Sequence, residues 1–264
     1  MPIREKAWPA GTPCWVDCQV DDTSSARDFY GALFGWEVAD TAPEAGGYLM
    51  AMLQGRSAAG IGPKPPGQVM QSTWTTYLAS DDADATAAAV GSAGGTVLAP
   101  PFDVMDIGRM LVAADPTGAV FGVWQARKHF GAGIYNEPGA YCWNELHTAG
   151  YEQAQGFYST VFGWHFTEVG DGTDMTYATF ALEPGGEPVG GLNDSTRTPG
   201  SGPAYWLAWF QVSDTDAALD SATQLGASVL VGVQDSPVGR MGILAAPQGE
   251  AFGVIDIAQS ADQS

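Results

Sequence analysis

The stretch Phe29-Tyr30-Gly31-Ala32-Leu33-Phe34-Gly35-Trp36 returns as Phe157-Tyr158-Ser159-Thr160-Val161-Phe162-Gly163-Trp164, 128 positions later. Its flanks return with it. Cys14-Trp15 matches Cys142-Trp143 at the same offset. Gly108-Arg109-Met110 matches Gly239-Arg240-Met241, and Phe121-Gly122-Val123 matches Phe252-Gly253-Val254, both at an offset of 131. One octamer recurs by chance; an octamer with its flanks in order marks a duplication.

The apolar residues Ala26, Phe29, Tyr30, Leu33 and Phe34 fall at i, i+3, i+4, i+7 and i+8, the stripe of a helix packed on a sheet. Ala154, Phe157, Tyr158, Val161 and Phe162 repeat the stripe. Gly35 and Gly163 supply left-handed stops, and Thr23 or Ser24 is the expected N-cap of the first helix. Strand-like runs at 14–20 and 141–148 precede the two helices. The same strand-then-helix order starts again at Thr73, with Asp82 as cap, and at Tyr205, with Ser213 or Asp214 as cap. Strand-like runs follow each helix, among them 175–182, whereas the Gly/Pro-rich run 60–67 reads as a turn. The chain thus holds four strand–helix–strand–strand–strand units, starting near 14, 74, 142 and 205. Helices on one face of largely antiparallel sheets define an α+β fold. The expected division is a loose lead-in 1–11, a first domain 12–126, a linker 127–139, a second domain 140–258 and a frayed tail 259–264.

Composition narrows the function. The chain has 264 residues, 45% hydrophobic and 15% charged, enough for two domains with proper cores. Thirty acidic against ten basic residues give a formal charge of −20, which repels phosphate backbones and anionic lipid. Neither nucleic acid nor a membrane is an expected partner. The start of the chain lacks the apolar core of a signal peptide, so a cytoplasmic location is expected. Three cysteines, Cys14, Cys18 and Cys142, lie in apolar strand-like runs and read as buried thiols, not as a disulfide framework.

The run Val16-Asp17-Cys18-Gln19-Val20-Asp21-Asp22, the Ala26-to-Trp36 helix segment, the helix start Asp81-Asp82-Ala83-Asp84 and the turn Asp115-Pro116-Thr117-Gly118 together resemble the glyoxalase / bleomycin-resistance protein / extradiol dioxygenase superfamily, the vicinal oxygen chelate proteins. The resemblance covers nearly the whole chain. It looks most like two-domain actinobacterial members, often found near aromatic polyketide pathways or described as mycobacterial antigens. It implies four tandem βαβββ units, forming two glyoxalase-like domains whose cupped sheets enclose pockets. Fold alone does not fix the chemistry.

Metal-using members of the superfamily carry a His near the start of the first strand, a His or Glu early in the second unit and a Glu in the last strand. Counted from the aspartates and turn glycines of this chain, those positions fall on Trp15, Thr75 and Gly122, and on Trp143, Leu207 and Gly253. None carries a side chain that binds a divalent cation, so no cofactor is expected. A divalent metal is the alternative, held irregularly by Glu145 and His147. These two share a strand face with Trp143 and are matched by Asp17 and Gln19 in the first half.

Trp15 and Trp143 therefore stand where the fold places its chemistry. Their expected same-face neighbours are Met50, Met52, Thr75, Tyr77, Tyr177, Leu207 and Trp209. Indole, phenol and thioether side chains suit a flat aromatic ligand, and they equally suit an ordinary core. Arg109 and Arg240 each follow a glycine before a strand. They are candidates to meet a ligand carboxylate or phenolate at a pocket mouth; an ion pair with a nearby acid is the competing reading, Asp115 lying six residues on. The octamer aromatics read chiefly as glue between a helix and its sheet.

Two functions from different classes follow. One is a metal-free binder of an aromatic or polycyclic small molecule, serving antibiotic sequestration, resistance or natural-product biosynthesis. The other is a lyase, isomerase or oxygenase in which Asp17, Glu145 and His147 act as acid, base or irregular ligands. A monomer with internal pseudo-twofold symmetry is expected, since fusion replaces a dimer. Pairing of the units within a domain or across the pseudo-dimer is open at this level.

Overall fold

The structure is a computed structural model. It describes residues 2–41, 43–65, 67, 70–170, 176–197 and 202–259. In the first half the strands are β1 (Pro13–Val20), β2 (Glu37–Asp40), β3 (Leu49–Leu53), β4 (Arg56–Pro63), β5 (Thr73–Ala79), β6 (Thr96–Val104), β7 (Gly108–Ala114) and β8 (Val120–Ala126). The helices α1 (Thr23–Phe34) and α2 (Ala83–Ser92) follow β1 and β5. The second half repeats this with β9 (Tyr141–Thr148), α3 (Tyr151–Phe162), β10 (His165–Val169), β11 (Tyr177–Ala181), β12 (Gly190–Asp194), β13 (Tyr205–Gln211), α4 (Thr215–Gln224), β14 (Ser228–Ser236), β15 (Gly239–Ala245) and β16 (Ala251–Asp256).

Each half closes on itself. The first sheet runs β2-β3-β4-β1-β5-β8-β7-β6 and the second β10-β11-β12-β9-β13-β16-β15-β14. Units therefore pair within a half. Strands β1 and β5 are antiparallel neighbours at the middle of the first sheet, with Trp15 opposite Tyr77 and Asp17 opposite Thr75. Strands β9 and β13 repeat the arrangement, with Trp143 opposite Trp209 and Glu145 opposite Leu207.

Local chemistry sets the helix ends. The N-cap of α1 is Asp22, not Thr23 or Ser24, because its carboxylate accepts from both Ser24 N and Ser25 N. Asp82 and Asp214 cap α2 and α4, while α3 starts at Gly150 without a side-chain cap bond. Gly35 and Gly163 hold the left-handed conformation that ends α1 and α3.

One further expectation changes. The run read as a turn at 60–67 is strand as far as Pro63: β4 pairs in parallel with β1, Asp17 opposite Gly60 and Gln19 opposite Gly62. Its glycines mark close approach of an aromatic ring, as set out below. Strand β11 is described from Tyr177, and residue 175 of the expected run lies outside the described residues, as do 260–264 of the expected tail. The lead-in and the linker pack on each other and on the first half. Trp8 Nε1 donates to Ala132 O, Ile3 bridges Ile134, and Ala132 N donates to Cys14 O.

The helix-bearing faces of the two sheets meet. Thr76 Oγ1 of β5 bonds Asn144 Oδ1 of β9 at 2.8 Å, and the rings of Trp74 and Phe210 lie 5.0 Å apart. The octamer aromatics fill this seam. Phe34 stacks on Phe210 at 4.8 Å, Tyr30 lies edge-on to Phe252 at 5.8 Å, and Phe157 and Tyr158 pack on Phe121. They join half to half as well as helix to sheet. With the backs of the sheets buried together, the opposite faces of β1/β5 and β9/β13 form two cups that open away from each other.

Candidate functional sites: two aromatic cups

Alternation along β1 puts Trp15, Asp17 and Gln19 on the cup face and Val16, Cys18 and Val20 on the helix face. Register carries the cup face onto Thr75 and Tyr77 of β5, Gly60 and Gly62 of β4, Met50 and Met52 of β3, and Gly122 and Trp124 of β8. In the second half the same face carries Trp143, Glu145 and His147, then Tyr205, Leu207, Trp209, Gly191, Asn193, Tyr177 and Gly253.

The two cups share one motif. Trp15 Nε1 donates to the Tyr48 hydroxyl at 3.0 Å, and Trp143 Nε1 donates to the Tyr177 hydroxyl at 3.0 Å. Each tyrosine extends its hydroxyl end over a glycine of the neighbouring strand. A Cβ on Gly60 would overlap the Tyr48 hydroxyl, and a Cβ on Gly191 would overlap that of Tyr177. Each reaches toward the acidic residue two positions after the tryptophan, Asp17 or Glu145. Sequence reasoning found Tyr177 but missed Tyr48. The available signal was its place 129 residues before Tyr177, together with the paired glycines that a ring requires.

A second aromatic layer covers the last strand. Tyr77 lies across Gly122 and Trp209 across Gly253, so added Cβ atoms there would collide with the rings. Those glycines hold the positions at which the superfamily's metal users carry a glutamate. In the first cup one carboxylate, Asp17, faces Tyr48 and Tyr77; in the second, Glu145 and His147 are the two candidate donors. Among the described residues no three His, Cys, Asp or Glu side chains come together as a metal-binding group. The residues present do not fit a divalent cation in the family's manner.

Electrostatics differ between the cups. Asp17 is 5% exposed, and its Oδ2 accepts from Tyr77 at 3.0 Å and Tyr48 at 3.2 Å. Its Oδ1 is buried without a hydrogen-bond partner. Burial raises its pKa to about 7, against the pull of the two phenols. A groove of about 520 Å³ opens beside Asp17, Gln19, Tyr48 and Lys64. At the other end of the cup His129, from the segment after β8, packs edge-on against Trp15 at 4.6 Å and against Trp124 at 5.6 Å. Burial lowers its pKa to about 4, so it sits there as a neutral ring. Sequence reasoning gave His129 no partner; folding of the linker back on the first half supplies two indoles.

The aromatic residues of the second cup are the more exposed. Trp15 and Tyr77 are buried, whereas Trp143 and Tyr177 are half-buried and Tyr205 is exposed. His147 stacks on Tyr205 with centroids 4.8 Å apart and planes 7° from parallel. Its Nε2 lies 2.5 Å from Glu145 Oε1, out of line for a regular hydrogen bond. Burial, first, and the charge of Glu145 raise the pKa of Tyr177, keeping its hydroxyl protonated as a donor.

Neither arginine enters a cup. Arg109 pairs with Gln125 of β8 and Asp103 of β6, one residue out of phase with the cup face. It grips both oxygens of Asp84 at the start of α2, at 2.8 and 2.9 Å, and Asp103 at 2.9 Å. Arg240 does the same with Asp216 and Asp235. Both side chains lie on the helix-bearing face, in ion pairs with acids other than Asp115. Asp115 belongs instead to its own turn and to Tyr158.

Comparison with known proteins fits this architecture. The chain matches the family described as Glyoxalase/Bleomycin resistance protein/Dioxygenase superfamily twice, over residues 14–123 and 131–254. It is 41% identical over 260 residues to the putative glyoxylase CFP32 of Mycobacterium tuberculosis, covering 97% of this chain and 98% of that one. It is 35% identical over 263 residues to the anthracycline biosynthesis protein DnrV of Streptomyces peucetius, covering 94% of each. Among solved structures it is similar in fold to the Mn(II)-bound glyoxalase from Novosphingobium aromaticivorans. The TM-score is 0.63 at 16% identity, over 95% of this chain and 85% of that one.

Proposed function

As this chain belongs to the glyoxalase/bleomycin resistance protein/dioxygenase superfamily, we propose that it uses the superfamily's cups to bind a flat aromatic or polycyclic small molecule without a metal. One observation carries the reading. Both cups hold a tryptophan hydrogen-bonded to a tyrosine beside a single carboxylate, on the strand where metal users begin their ligand set. Rings seated over glycines offer apolar surface for stacking, while the carboxylate orients a polar edge. Relatedness to DnrV supports an accessory role around an aromatic natural product, in its biosynthesis, sequestration or resistance. In this reading the protein acts as a cytoplasmic monomer with two unlike sites.

Titration of the indole fluorescence with a panel of aromatic polyketides tests it. Quenching that saturates at micromolar ligand is expected in protein stripped of metal. No response across the panel would sink the proposal. Elemental analysis of protein purified without chelator separates this reading from a metalloenzyme. Stoichiometric Fe, Mn, Ni or Zn that disappears in His147→Ala would favour the enzyme.

A further inference from the structure

One difference between the two cups falls on the central strand. Gln19 of the first is His147 in the second, at the same step of the central strand, two residues after the carboxylate. His147 Nε2 stands 2.5 Å from Glu145 Oε1, with side chains 12% and 10% exposed. A carboxylate and an imidazole this close set a proton acceptor and a counter-charge side by side on the cup face. Stacking on Tyr205 fixes the imidazole plane. Trp143 and Tyr177, half-buried beside the pair, provide the aromatic wall. No Lys or Arg is found among the described residues on this face of β9, β11, β12, β13, β15 and β16. A ligand that arrives as an anion meets no cation here.

Resting on the aromatic-binding reading above, we propose that the second cup selects a ligand with an acidic hydroxyl, a phenol or enol conjugated to a flat ring system, and takes its proton on the Glu145–His147 pair. The ligand's O–H bond breaks and its electron pair stays on oxygen. The proton passes to the pair, and the resulting phenolate is held against the protonated pair. Nothing is oxidised or reduced. The first cup, with Gln19 in this place, lacks the imidazole member of the pair.

The test uses 2-hydroxyanthraquinone and its methyl ether, titrated into the whole chain with EDTA present, at a pH below that at which the free dye ionises. Both compounds are expected to quench the indoles. The hydroxy compound alone should show the red-shifted visible band of its phenolate. His147→Gln copies the residue of the first cup, so the strand tolerates it. It should abolish the red shift and weaken binding of the hydroxy compound by roughly tenfold, as expected for loss of a charge-assisted contact. Quenching without a red shift, or a red shift that survives in both His147→Gln and Glu145→Gln, would overturn the proton transfer and leave aromatic binding standing. Absence of quenching by either compound would overturn both.

Discussion

Tyr30 of the first half donates its hydroxyl to Glu250 of the second at 3.0 Å, and Tyr158 of the second returns the contact to Asp115 of the first at 3.1 Å. The two bonds are built differently. Asp115 Oδ1 also accepts from Thr117 N, Thr117 Oγ1 and Ala119 N, whereas Glu250 is 1% exposed and its Oε2 has no partner. Tyr30→Phe leaves a buried carboxyl with neither oxygen bonded by a side chain. It is expected to cost about 1–3 kcal/mol, more than Tyr158→Phe, as read from urea midpoints. Equal losses would contradict the asymmetry.

The Asp17 carboxyl has its pKa raised from 3.8 to about 7 by burial. A raised carboxyl pKa means the folded state binds the proton more tightly than the unfolded one. This group's contribution to stability is therefore complete at low pH and is lost as pH rises from about 4 through about 7. Asp17→Asn removes that dependence. Relative to wild type, the variant should become steadily more stable across this window and level off above it. Comparing the two proteins cancels other groups that titrate in the same range, His129 among them. A stability difference that does not change with pH would refute the assignment.

Glycine is required where the phenols cross the sheet. Gly60→Ala and Gly191→Ala are each expected to push a tyrosine off its strand, at about 1–3 kcal/mol for an overpacked contact. Near-ultraviolet circular dichroism should lose the signal of the coupled Trp–Tyr pair in each variant. Gly35→Ala meets no neighbouring atom within 4 Å. It is strained only through its left-handed backbone and should spare that signal.

Exposure ranks the two indoles. Trp143→Phe is expected to weaken aromatic ligands roughly threefold to tenfold in equilibrium dialysis, the share of a stacking partner beyond plain burial. Trp15→Phe, at a residue only 4% exposed and covered by His129, should act mainly on stability. The reverse order would place the open site in the first half.

Arg109→Gln and Arg240→Gln should leave ligand affinity unchanged, because both guanidinium groups are held by carboxylates on the helix-bearing face. The stability they contribute should shrink in high salt. A loss of affinity in either variant would return them to the binding surface.

The fold was legible because duplication and helix periodicity are local properties. The octamer, its flanks and the glycine stops located the four units without reference to three-dimensional contacts. Trp15 and Trp143 were legible as a pair for the same reason. Tyr48 and β4 were not, since glycine in a strand resembles glycine in a turn until the ring it accommodates is known. For the arginines an ion pair was legible but its partners were not, because the Gly-Arg-Met signal shows recurrence and not which side of the sheet a residue faces. His129 escaped notice because its neighbours come from β1 and β8, brought to it by a segment that reads as a spacer.

The seam between the halves has a genetic consequence. A symmetric dimer must change both of its sites with every mutation. Here one backbone carries both, and the buried aromatics at their shared back hold them in fixed proportion. The two sites could take different residues at one position, Gln19 in the first and His147 in the second, so every molecule carries one of each. Separating the halves would bare Phe34, Trp36 and Phe210 and destroy the arrangement that allowed the two sites to diverge.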